Sequence, residues 1–361
     1  QDIFMSSYFI SGIQQVGIGT ENLKRSWKWY IDMFQTDIRI LEDDSVAELM
    51  LPYTGNQAQK RHACIAVNLQ GGGGLEIWQY SERKPKTRDF DIQIADLGVF
   101  LAKIKARNVK TFHQEIKAKY SHISDILITP DGIPCFYILD PFGNYFQIVE
   151  DAYVFVDRKR QAGGVVGAMI GVRNIEKALP VYQDILGYDT IVYDQIGVFE
   201  DWQFLRGGSQ RYRRVLLEHS QKRKGAFAAM FGPSHLELVV ALEREPKKIY
   251  EGRFWGDPGF IQICYDVTHM QALKDYCREK GFPFTVDSCA SQSSFDMGEA
   301  TGHFTYIEDP DGTLIEFVET HKIPLIKVLG LHINLMKRNR EKVLPKFLFR
   351  LMGINKVTIN E

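Results

Sequence analysis

GTENLKRSWKWYIDMFQTD, residues 19–37, returns without a gap as GVRNIEKALPVYQDILGYD, residues 171–189. The copies share Gly19/Gly171, Asn22/Asn174, Tyr30/Tyr182, Asp32/Asp184 and Asp37/Asp189. In each, an Asn precedes apolar residues at helical spacing, which predicts an Asn-capped amphipathic helix between two strands. A unit written twice makes the chain an internal repeat, and the rest divides accordingly.

LEIWQYSERKP (75–85) returns as LELVVALEREP (236–246), each with a glutamate, Glu76 or Glu237, second in an apolar run. LDPFGNYFQIVED (139–151) matches EDPDGTLIEFVET (308–320), where DP-x-G between apolar runs is a hairpin turn: Pro fixes φ and Gly supplies the positive one. DIQIADLGVFLAKIKARNV (91–109) set against DVTHMQALKDYCREKGF (266–282) predicts a short strand end and a helix closed by Asn108 or Gly281. The chain thus reads as four βαβββ modules, 10–84, 85–152, 163–246 and 255–321. DRKRQAGG (157–164) joins the halves 10–152 and 163–321, and a basic amphipathic tail, 322–361, follows. The expected class is α+β.

Length and a hydrophobic content of 45% allow buried cores in two or three domains. Net charge is −1, but nine Lys/Arg against two acids lie from His321 onward, leaving the body near −8 and giving no overall attraction to nucleic acid. The five cysteines are odd in number, scattered and without a CxxC pair, which suits a reducing, cytoplasmic setting and no structural zinc knot. No apolar run approaches the roughly 18 residues of a membrane span, and QDIFMSSYFI lacks the features of a signal peptide.

With a first-strand polar residue seven places before the capping Asn and a final DPDGTLIEF, the modules resemble the vicinal oxygen chelate superfamily. That group includes glyoxalase I, extradiol dioxygenases and bleomycin-binding proteins. GFIQICYDV and EDPDGTLIEFVET carry the likeness best. The resemblance implies two open, cup-shaped mixed sheets, each made of two modules, with ligands from one first-strand and one last-strand position per module. By spacing, the first-strand positions are Gln15, Asp89, Gly167 and Gln262, and the last-strand positions are Glu76, Gln147, Glu237 and Glu316. The residues point the same way, because a lone carboxylate inside an apolar strand is too costly without a partner, a metal or a polar cavity.

If the halves exchange partners, as in single-chain glyoxalase I proteins, one cup holds Gln15, Glu76, Gln262 and Glu316, and the other holds Asp89, Gln147, Gly167 and Glu237. One set is intact and one decayed. The resemblance to glyoxalase I then implies a metal-dependent lyase or isomerase acting on a small molecule with vicinal oxygens, through proton abstraction and an enediolate, with Glu316 or Glu76 as base. All-oxygen ligands suit one divalent ion, Ni, Co, Mn or Mg before Zn. If instead each half folds its own cup, as in the dioxygenases, half one offers Gln15, Glu76, Asp89 and Gln147 and half two offers Gly167, Glu237, Gln262 and Glu316. A ring-cleaving or α-keto-acid dioxygenase would then need iron and His at positions held by Gly167 and Gln262. A non-catalytic small-molecule binder is the third reading. Strand alternation adds Trp78, Tyr80, Cys264 and Asp266 as pocket candidates.

Other motifs read more plainly. GGGG (71–74) precedes no helix and is expected to be a hairpin loop. His235 is expected to be structural, and RYRR (211–214) a solvated hairpin. The tail is expected to be helical and to pack on the acidic body or a second subunit, which allows a homodimer, rather than to lie on a membrane. The stretches 41–60 and 286–303 are expected to line the cavity.

Overall fold

The computed structural model describes residues 7–290, 295–296, 301–326 and 330–359. The first module runs β1 (Phe9–Gly19), α1 (Leu23–Phe34), β2 (Ile38–Val46), β3 (Lys60–Val67) and β4 (Gly74–Tyr80). The second runs β5 (Gly98–Ala106), α2 (Val109–Lys117), β6 (Leu127–Ile128), β7 (Pro134–Leu139) and β8 (Tyr145–Glu150). The third comprises β9 (Ala162–Gly171), α3 (Ile175–Leu179), β10 (Thr190–Gly197), β11 (Tyr212–Glu218), α4 (Ala228–Phe231) and β12 (His235–Ala241). In the fourth are β13 (Gly259–Thr268), α5 (Met270–Glu279), β14 (Val286–Asp287), β15 (Phe295–Asp296), β16 (Thr301–Glu308) and β17 (Leu314–Ile326).

The halves exchange partners. One sheet has the order β14-β16-β17-β13-β1-β4-β3-β2 and so unites modules four and one; the other, β10-β11-β12-β9-β5-β8-β7-β6, unites three and two. At each centre two first strands meet antiparallel, β1 on β13 and β5 on β9. These central strands are buried almost throughout, as their long apolar runs require.

The residues shared between copies hold this arrangement. Asn22, Asn108 and Asn174 each accept a backbone N–H from the third residue on, at 2.8–2.9 Å, capping α1, α2 and α3. Asp140 and Asp309, which open the DP-x-G turns, accept backbone N–H groups two and four residues on. Their second oxygens accept the hydroxyls of Tyr30 and Tyr182, at 2.8 and 2.9 Å. The repeated tyrosine of each odd module is therefore latched to the turn of the even module that follows it.

Three expectations are corrected. Residues 98–106 form a strand, and Asn108 starts a helix rather than closing one, so Asp89 lies exposed outside any strand. GGGG is more than a loop: Gly73 bridges Val165, and a Cβ on Gly72 would come within 2.6 Å of the Gly164 backbone. The glycines there let the halves touch main chain to main chain. Finally, the tail is helical only in α6 (Lys346–Met352), since β17 runs on to Ile326 and β18 (Leu331–Asn334) pairs back on it. The tail does pack on the body, through buried Leu344, Phe349 and Met352, the Arg340–Glu319 ion pair and a bridge from Lys356 to Ile38. Among the described residues no helix is long and apolar enough to cross a membrane, and none of the five cysteines is in a disulfide.

Candidate active site

The pairing of β1 with β13 brings Gln15 and Gln262 onto adjacent strands. Parallel pairing of β4 with β1 and of β17 with β13 sets Glu76 and Glu316 on either side. The four predicted positions come together beside a cavity of about 350 Å³, which Gln15, Glu76 and Glu316 line. Gln15 and Gln262 are 2% and 0% exposed and Glu316 is 7% exposed, so these polar groups lie deep in the cup. The Gln262 amide donates to Glu76 at 3.0 Å and to Glu316 at 3.4 Å. Gln15 also hydrogen-bonds Glu76, while its own Oε1 is buried without a partner.

The charge balance of this cluster is unusual. Burial, and then the charge of Glu76, push the Glu316 carboxyl up to about 8; hydrogen bonds with Cys264, Tyr306 and Gln262 offset this only in part. Burial raises Glu76 as well, against the pull of Arg61. Arg61 is the only Lys or Arg among the described lining residues, and it is ion-paired with Asp43. Two carboxylates that share one amide, short of positive charge, make a place for a cation.

The residues fit a hard divalent ion. The unpartnered Gln15 oxygen and the two carboxylates would hold it. Gln262 is oriented differently: its Oε1 accepts the Trp255 indole N–H at 3.1 Å, so its NH₂ side faces the carboxylates. So placed, it orients Glu76 and Glu316 as a donor. Among the described residues no group of three or more His, Cys, Asp or Glu gathers into a metal site, because half of this constellation is glutamine.

The pocket candidates separate. Trp78 lines the cavity and packs edge-on against Trp255 at 4.4 Å. Tyr80 is behind it, its hydroxyl bonded to the Trp255 carbonyl. Cys264 is buried under Glu316 and does not line the cavity. Asp266 lies elsewhere, beside Arg338 and Arg340. Of the expected stretches, Leu41, Asp43 and Ser45 to Met50 line the cavity; 286–303 falls partly outside the described residues. The sequence reading missed an apolar wall, built by Phe227, Met230 and Phe231 of module three and by Phe349 and Met352 of the tail. Their apolar character was visible, but their meeting there depends on tertiary packing.

The second cup is plugged. Glu237, fully buried, receives Lys103 at 2.8 Å, the Tyr193 hydroxyl at 2.7 Å and the Arg214 guanidinium. Arg214 also binds both oxygens of Asp201 at 2.8 Å and lies over the Trp202 ring at 4.2 Å. Burial would raise the Glu237 carboxyl, but Arg214 and Lys103 hold it far below the usual range. Gln147 is fully buried and donates to Tyr137 at 3.1 Å. At Gly167 a Cβ would come within 2.1 Å of the His235 carbonyl, so a ligand side chain has no room. Of the two buried lysines on the first strand of module two, Lys103 and Lys105, it is Lys103 that lies opposite Gly167. Arg214 of RYRR is thus the plug rather than a solvated residue.

Residues 168–300 match the Glyoxalase/Bleomycin resistance protein/Dioxygenase superfamily model. No curated protein sequence matches the chain. Among solved structures, glyoxalase I from Zea mays is similar at 14% identity and a TM-score of 0.52, with 87% of this chain and 92% of that one covered. A proposed dioxygenase from Bacillus subtilis is similar at 11% identity and a TM-score of 0.55, with 98% of each chain covered. At these identities the likeness is one of fold.

Proposed function

We propose that this chain, a member of the glyoxalase/bleomycin resistance protein/dioxygenase superfamily, is a divalent-metal-dependent lyase or isomerase. It would move a proton on a carbon next to a carbonyl, in a small molecule with vicinal oxygens. The observation that supports this best is Glu316: a buried carboxyl pushed to about 8, hydrogen-bonded to Tyr306 and Cys264, beside a second carboxylate and an unpartnered amide oxygen. A group whose proton comes and goes near neutrality suits general acid–base work.

Gln15, Glu76 and Glu316 would hold the ion, which when bound draws electron density from two neighbouring substrate oxygens and so acidifies the hydrogen between them. Glu316 takes that proton and returns it. Tyr306 and Cys264 fix the angle of its carboxyl, and Gln262, locked by Trp255, keeps Glu76 and Glu316 apart. Trp78 and Trp255 keep water from the polar end. A dioxygenase is less well supported, since no His lines the cavity among the described residues and both first-strand positions of this cup are glutamines, Gln15 and Gln262, rather than iron-binding histidines.

The test is loss of solvent deuterium uptake at the substrate's α-carbon. Protein loaded with Mn²⁺ or Ni²⁺ should exchange the α-hydrogens of an α-hydroxyketone, and Glu316→Gln should not. A variant with full exchange removes Glu316 as base.

A further inference from the structure

An apolar part of the cavity wall belongs to none of the four ligand positions. Phe349 and Met352, 1% and 3% exposed, come from the tail. Phe227, Met230 and Phe231 come from the module that otherwise builds the second cup. Phe349 meets Phe155 and Phe227 edge-on, at 4.9 and 6.3 Å, so this wall is a packed cluster. Ile40 and Val46 of β2, and Leu49 and Met50 of the short helical turn that follows it, line the same cavity.

The charges in the cavity are equally one-sided. Among the described residues Asp43, Glu48, Glu76 and Glu316 line it against Arg61 as the one Lys or Arg, and Arg61 is committed to Asp43. A carboxylate or phosphate on the substrate's far end would lose its water and meet no cation. An uncharged apolar body would gain by filling the space.

We infer that the substrate is an uncharged molecule with its vicinal oxygens at one end and an aromatic or branched apolar body at the other, and that Phe349 and Met352 of the tail select it. This rests on the proposed reaction for the oxygen-bearing end only, while the apolar end stands on the wall itself.

Calorimetric binding to the full chain tests it with two probes that differ in one group: 2-hydroxyacetophenone and its ring-carboxylated analogue, 4-(2-hydroxyacetyl)benzoate. Both are titrated with and without Mn²⁺ into wild type and into Glu316→Gln. The neutral probe should bind at least about tenfold more tightly. Met352→Lys, confirmed as folded by circular dichroism, places a cation on the wall and should narrow or reverse that ratio. Phe349→Ala should weaken the neutral probe by roughly 5- to 30-fold. Equal or tighter binding of the carboxylated probe to wild type overturns the inference, as does no binding of either probe at millimolar concentration, or a folded Met352→Lys protein with an unmoved ratio. Selective binding of the neutral probe without α-hydrogen exchange instead overturns the proposed reaction and leaves this inference standing.

Discussion

The two cups share a topology and carry a glutamate at the same place in the repeat, yet Glu76 and Glu237 have opposite fates. In the first cup the last-strand carboxylates face each other across an amide, and their protons are held up. In the second, Glu237 is neutralised by Lys103 and Arg214, and its proton is driven off. One cup leaves its charge uncompensated around an open cavity, and the other fills the same space with cations and indole. The difference shows that position in this repeat supplies an inward-facing acid, while its neighbours decide whether the acid is a reagent or a rivet. It also has the form of a trade between stability and function, since the open cup keeps what the plugged cup has removed.

The comparison is broken most severely at the two glutamates. Glu316→Gln should keep the fold and lose turnover by ~10²–10⁴-fold, read as solvent exchange of the substrate α-hydrogen. Glu237→Ala should leave buried Lys103 unpaired and Arg214 with Asp201 as its one carboxylate, and cost about 3–5 kcal/mol in denaturant unfolding, whereas Glu316→Gln should cost nothing or stabilise the cation-free protein.

The cups should also respond to pH with opposite sign. Glu316 is raised from 4.5 to about 8 in the fold, so its favourable contribution is complete below the unfolded value and is lost as pH climbs from about 4.5 to about 8. Chelator-treated wild type should therefore lose thermal stability across that window, and Glu316→Gln should flatten the slope. Glu237 is depressed, so its contribution is present above the ordinary carboxylate value and is lost only in strong acid. Added Mn²⁺ should raise the melting temperature of wild type near pH 8 but not of Gln15→Ala, measured by differential scanning fluorimetry. The smallest effect is expected at Trp255→Phe. Freeing the Gln262 carbonyl to turn inward should tighten Mn²⁺ binding by roughly tenfold at most; unchanged or weaker binding would show that the indole does not hold the amide.

Much of this was legible in the sequence. The alternation around Glu76 and Glu316 pointed both inward, and the exchanged pairing followed from the one partition that left a complete ligand set. Lys103 was missed although its signals were present. Lys103 and Lys105 alternate as strand residues do, and Asn108 precedes an apolar helical pattern just as Asn22 and Asn174 do. The apparent match of 91–109 to 266–282 put the helix too early. Arg214 was hidden because its partner is a cross-strand neighbour: Leu216 faces Glu237 in the ladder, and Arg214 reaches it diagonally. The role of Trp255 in turning Gln262 lies below what spacing can reveal, for it depends on which end of an amide meets an indole seven residues away.

The segment from Asp157 to Gly164 has a further consequence. Arg158 and Arg160 anchor it to Asp37 at 3.1 and 3.0 Å, and each cup draws one module from either side of it. Without it, completing the site would be a bimolecular encounter governed by protein concentration; with it, each half meets the other at an effective concentration on the order of millimolar. A chain nicked within this segment should therefore remain active when concentrated and lose activity on dilution, on a timescale set by dissociation of the halves.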